Sequence, residues 1–109
     1  MIKYELKKNF LDKELFDSFK KVIFSDLFPW FWRDHQYSSD EGFFGHDFYW
    51  RHKPCSPFYE HYIVPIIKKL KCNMVSGVRA NCLVKDKKKY FSNFHCDRVF
   101  DCTTAIFYM

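Results

Sequence analysis

No stretch of this sequence comes near the roughly 18 uninterrupted apolar residues of a membrane-spanning helix. The N-terminus, MIKYELKKNF, also lacks the apolar core of a secretory signal. Both absences predict a soluble, cytoplasmic chain with no membrane partner. No CxxC pair occurs: Cys55, Cys72, Cys82, Cys96 and Cys102 are odd in number and scattered. That spacing disfavours a disulfide framework or a zinc knuckle and predicts reduced thiols. Internal repeats and low-complexity tracts are missing too. At 109 residues the chain has room for one domain with one core, spanning 1–109, and is too short for a multidomain enzyme.

What is present is apolar surface: 48% of the residues are hydrophobic and 22% aromatic, a composition that argues for a packed interior and against disorder. The net charge of +5 is spread over several segments and concentrated only at Lys85, Lys87, Lys88 and Lys89. The run KDKKK reads either as a solvated loop or as a phosphate-binding patch.

Leu11, Leu15, Phe16, Phe19, Val22 and Ile23 recur at helical spacing, which predicts a helix over 11–23 with Asn9 as its N-cap and Asp12 and Glu14 in the first turn. The next segment mixes Pro29, Ser38, Ser39 and Gly42 with Trp30 and Trp32. It reads as an aromatic-anchored loop, its tryptophans plugging the core, that leads into a strand near 43–50. A second helix is expected from near Pro57 to Leu70, capped by Ser56 and burying Phe58, Tyr62, Ile63, Ile66, Ile67 and Leu70. Pro65 lies inside it, so a kink near His61 or a split into two shorter helices is expected. Residues 73–84 alternate as a strand, and the terminal CTTAIFYM, β-branched and aromatic, reads as another. The sum is an α+β arrangement: a mainly helical support region with one strand over 1–72, then strands over 73–109.

The chemistry-bearing pattern is FHCD. In an extended strand, positions i and i+2 share a face, so His95 and Asp97 can aim an imidazole nitrogen and a carboxylate oxygen at one point. Two histidines and one carboxylate on one octahedral face are the ligand set of a non-haem Fe(II) oxygenase, and two of those three donors are here. The same pair also fits a hydrogen-bonded histidine beside a loop carboxylate.

VRANCL, then FHCD, then TTAIFYM, in that order, resembles the 2-oxoglutarate- and Fe(II)-dependent dioxygenases of the prolyl 4-hydroxylase-like type, notably the branch encoded by marine bacteriophages. The resemblance covers residues 74–109 best. It implies a double-stranded β-helix, a jelly-roll barrel related to cupins, whose first strands these would be, braced by the two N-terminal helices. It further implies that His95 and Asp97 ligate iron, that Tyr108 helps hold the distal carboxylate of 2-oxoglutarate, and that Thr104 and Ile106 share its strand face. Ascorbate would serve as reductant, the substrate would be a protein or a small molecule, and the setting would be the cytoplasm of an infected host cell. Arg79 and Asn81 fit the strand before the motif, while a tyrosine common in that strand is replaced here by Leu83. No histidine follows His95, and no arginine or lysine follows Arg98. The family takes its third ligand and its cosubstrate-anchoring cation from later strands, so the pattern predicts the front portion of a dioxygenase domain, incomplete and inactive as it stands. The rival reading is a basic, aromatic nucleic-acid-binding module in which Lys85 to Lys89 hold phosphates while Tyr90 and Phe91 stack on bases.

Overall fold

The computed structural model describes residues 4–34, 42–83 and 102–109. It is an α+β structure with two helices and a four-stranded antiparallel sheet. The elements run α1 (Lys13–Ile23), β1 (Phe31–Arg33), β2 (Phe43–Trp50), β3 (Lys53–Pro54), a π-helical turn (Tyr59–Ile63), α2 (Val64–Leu70) and β4 (Val78–Leu83). In the sheet β2 pairs with β1, β3 and β4. The chain divides into two compact units, one drawn from Met1–Pro29 and Asp47–Ala80, the other from Trp30–His46 and Asn81–Met109.

The first unit is built on an aromatic cluster. The ring of Phe19 on α1 stacks on Tyr62 at 4.8 Å and meets Phe48 of β2 edge-on at 5.8 Å, while Phe28 lies 5.9 Å from Phe48 and 5.3 Å from Phe58. Among the described residues Phe48 is the most deeply buried large side chain, at 2% exposure, and Leu11, Ile23, Ile63 and Ile66 are buried too. Each such ring pair adds about 0.5–1.5 kcal/mol beyond area burial. The buried Tyr62 hydroxyl shares a 3.0 Å hydrogen bond with the Ser18 hydroxyl, so its polar end is satisfied.

Helix α1 keeps the expected apolar face but starts later. Asp12, extended at φ −58° and ψ 138°, is the residue at its N-cap, and its carbonyl accepts from the Phe16 amide at 2.9 Å. Asn9 is not the cap: it sits in the left-handed region at φ 55°. The Asp12 side chain faces Lys69 at 3.4 Å, and the Lys69 ammonium also lies over the Phe10 ring at 5.1 Å.

The proline effect appears in the second helical segment. Pro65 has no N–H to give the His61 carbonyl, so the α-pattern is interrupted there. The chain makes a π-turn over Tyr59–Ile63 before α2 begins, with Pro65 in its first turn, where the missing donor costs nothing. Ser56 acts just ahead, its hydroxyl accepting from the Phe58 amide at 3.2 Å. Leu70, expected to be buried, is exposed, because α2 ends at it. Lys71 turns left-handed (φ 57°, ψ 41°), its amide donating to the Lys68 carbonyl at 3.1 Å and the Cys72 amide to the Ile67 carbonyl at 3.3 Å. That pair of bonds is a Schellman closure.

Between β2 and β3 the register is Tyr49 opposite Pro54 and Trp50 opposite Lys53, leaving Arg51 and His52 as the whole loop. Both have positive φ, 53° and 66°. A two-residue loop with both residues left-handed has the φ signature of a type I′ turn, which favours Asn-Gly, and each side chain there costs about 1–2 kcal/mol.

In the second unit, β1 pairs Phe31, Trp32 and Arg33 with Gly45, Phe44 and Phe43. All three β1 residues are exposed, Trp32 at 53%, so it is not the core plug the composition suggested; Trp30 is half-buried. Trp32 instead meets Phe44 edge-on at 5.1 Å. A methyl group at Gly42 would collide with the Trp32 six-membered ring, so the indole lies where only glycine leaves room. Phe43, Gly45 and His46 supply this unit's buried positions on β2.

Strand β4 is shorter than the 73–84 expected, since residues 73–77 have no ladder. The terminal segment departs further: residues 102–109 form no strand. No described helix is long and apolar enough to cross a membrane.

Candidate functional site

The two residues on which the metal reading turns, His95 and Asp97, lie outside the described residues. So do Lys85, Lys87, Lys88, Lys89, Tyr90 and Phe91 of the rival reading. The three cosubstrate candidates are described: Thr104, Ile106 and Tyr108 are exposed, Tyr108 at 84%, while Phe107 and Met109 are half-buried.

The strand ahead of the motif forms as the sequence pattern requires. On β4 the alternation puts Arg79 and Asn81 on one face, exposed, and Val78 and Ala80 on the other, half-buried. Arg79 is held near β2 by its Nε, 4.0 Å from Asp47 Oδ1. At that distance and exposure the pair contributes little stability.

Of the upstream histidines, His35 lies outside the described residues. His46 is buried in β2 at 3% exposure, His52 sits in the β2–β3 turn, and His61 is exposed on the π-turn with its ring edge-on to Tyr62 at 4.6 Å. Among the described residues no three of His, Cys, Asp and Glu come close enough together to hold a metal ion. Cys55, Cys72, Cys82 and Cys102 are free and exposed.

One cluster escaped the sequence reading. The Cys55 thiol donates to the Asp47 backbone carbonyl at 3.4 Å. Its pKa is raised by desolvation first and by the nearby Asp47 charge second, partly offset by Lys53. A thiol pushed upward is a poor nucleophile, which argues against a cysteine-based reaction here. Tyr59, ring-stacked with Tyr49 at 5.6 Å, is shifted the same way by burial, then by Tyr49 and Glu60. Both groups hold their protons at neutral pH and serve as hydrogen-bonding and packing groups. Nothing in the spacing of Asp47, Cys55 and Arg79 announces their meeting, because strand pairing and a hairpin bring them together.

No family model, no curated protein and no solved structure matches this chain.

Proposed function

We propose that this chain carries part of the iron site of a 2-oxoglutarate- and Fe(II)-dependent dioxygenase of the prolyl 4-hydroxylase-like type, with His95 and Asp97 as two of its protein ligands. The observation that carries this reading is the spacing in FHCD: an imidazole and a carboxylate two positions apart, twelve residues beyond the end of β4. The position of the motif is consistent with it: the ligand residues come after β4, a strand of the antiparallel sheet that exposes Arg79 and Asn81. The reading brings with it a double-stranded β-helix of which this sheet is the front part.

The donor chemistry fits the ion. One neutral imidazole nitrogen and one carboxylate oxygen belong to the mixed set that Fe(II) accepts, with positions left open for other ligands. When bound together with the keto acid and O₂, the iron supplies the oxidation that couples decarboxylation to succinate with hydroxylation of a C–H bond. The chain's own residues hold and orient: His95 and Asp97 bind the ion, and the Tyr108 hydroxyl donates to the distal carboxylate of the cosubstrate, with Thr104 and Ile106 beside it. Because no histidine follows His95 and no lysine or arginine follows Arg98, these 109 residues give the iron two ligands from the motif and the keto acid no later cation.

The expected outcome in anaerobic equilibrium dialysis is weak Fe(II) retention by the purified chain, strengthened by 2-oxoglutarate and abolished by His95→Ala or Asp97→Ala, with no decarboxylation of the keto acid. Retention that neither substitution changes would remove the proposal, and so would turnover by these 109 residues alone.

A further inference from the structure

The β2–β3 hairpin ends in a turn that sets backbone comfort aside. Its two loop residues adopt the left-handed conformations that glycine or asparagine would fill easily, yet they are Arg51 and His52. An outlier of this kind, in a two-residue loop where a smaller residue would serve the fold better, points to a use for the side chains it presents. The second observation is charge: Arg51, His52 and Lys53 are consecutive and exposed, and among the described residues neither Arg51 nor Lys53 has a carboxylate partner. The third is aromatic. Trp50, which pairs with Lys53 across the turn, is 43% exposed.

Below the tip the stalk is fixed. The Cys55 amide donates to the Phe48 carbonyl at 3.0 Å, its thiol reaches the Asp47 carbonyl, and Phe48 is anchored in the aromatic cluster of the same unit. The cations are therefore carried on a held support, which lowers the ordering cost of binding.

We infer that residues 50–53 form a contact site for single-stranded nucleic acid, in which Arg51 and Lys53 engage neighbouring phosphates and the exposed part of the Trp50 indole packs on a base. A planar guanidinium matches phosphate oxygens in pairs, and an indole beside it offers a stacking surface that unpaired bases can use and a duplex keeps closed. The site goes beyond the iron-site reading and does not rest on it. It draws on none of Lys85, Lys87, Lys88 and Lys89.

The test is the double substitution Arg51→Asn, His52→Gly, which gives the turn its preferred residues while leaving the lysine run intact. Binding of a fluorescein-labelled oligothymidylate to the full chain is followed by anisotropy at neutral pH, alongside thermal melting. The expected result is a variant that melts at or above the wild-type temperature and binds about five- to tenfold more weakly. Its log K would also depend less steeply on log salt, by about 0.7 for the single phosphate that the missing guanidinium no longer neutralises. The inference is overturned if the wild-type chain does not bind the oligonucleotide, or if the variant binds it as well as wild type. It is equally overturned if the substitution abolishes binding to phosphatidylserine vesicles while leaving oligonucleotide binding unchanged.

Discussion

Lys71 closes α2 in a conformation that suits a residue without a side chain. Its φ of 57° and the two bonds it organises, Lys71 to Lys68 and Cys72 to Ile67, satisfy the last carbonyls of the helix, while its Cβ crowds the carbonyl that follows. Lys71→Gly is accordingly expected to stabilise the fold by about 1 kcal/mol, read as a higher urea midpoint with an unchanged slope. Left-handed residues are where the sequence is least readable. Asn9 looked like a helix cap because asparagine caps helices, but it also tolerates positive φ, and that second property is the one in use. Arg51 and His52 carry no turn signal at all, since neither belongs to the residues that favour such loops. The buried His46 and the thiol of Cys55 are likewise products of strand pairing, which spacing along the chain does not encode.

Among the elements, α1 and β2 were legible because their patterns are strong. Apolar residues at three- and four-residue intervals mark the first, and an aromatic-rich run following a segment that holds Pro29, Ser38, Ser39 and Gly42 marks the second; β2 occupies the residues expected of it. The split in the second helical segment was legible from one residue. If the missing Pro65 N–H is what breaks the α-pattern, then Pro65→Ala gives the His61 carbonyl its donor and lets the π-turn over Tyr59–Ile63 relax toward α-helix. The expected readout is a modest gain in helical circular dichroism and a protected, slowly exchanging amide at the alanine introduced in position 65. An unchanged spectrum with fast exchange there would assign the π-turn to tertiary packing of Tyr62 and Ile63. Strand β1 was not legible, because three exposed residues give no periodicity to read. The terminal run shows the opposite failure: residues with high β-propensity adopt no ladder over 102–109, since propensity supplies the tendency and a partner strand supplies the hydrogen bonds.

Taken whole, the chain joins an aromatic core to an excess of positive charge, +5 over 109 residues, and the charge bears on association with polyanions more than on the fold. The α+β class was legible from the presence of both helical and alternating patterns, but the expected order was not: β1, β2 and β3 all precede α2. The candidate site was legible only as donor types at a spacing, because His95 and Asp97 lie outside the described residues and their convergence depends on more than periodicity. The proposed function therefore rests on whether that imidazole, among five in the chain, is the one a divalent ion selects. A chain with isotope-labelled histidine, titrated anaerobically with Mn(II) as a paramagnetic stand-in for Fe(II), reports this directly, with the His95 resonances assigned by His95→Ala. The iron-site account predicts that the His95 signals broaden at the lowest Mn(II), and that Asp97→Asn removes the selectivity. Broadening that begins at His52 or His61, or that spreads evenly over all five imidazoles, would contradict it.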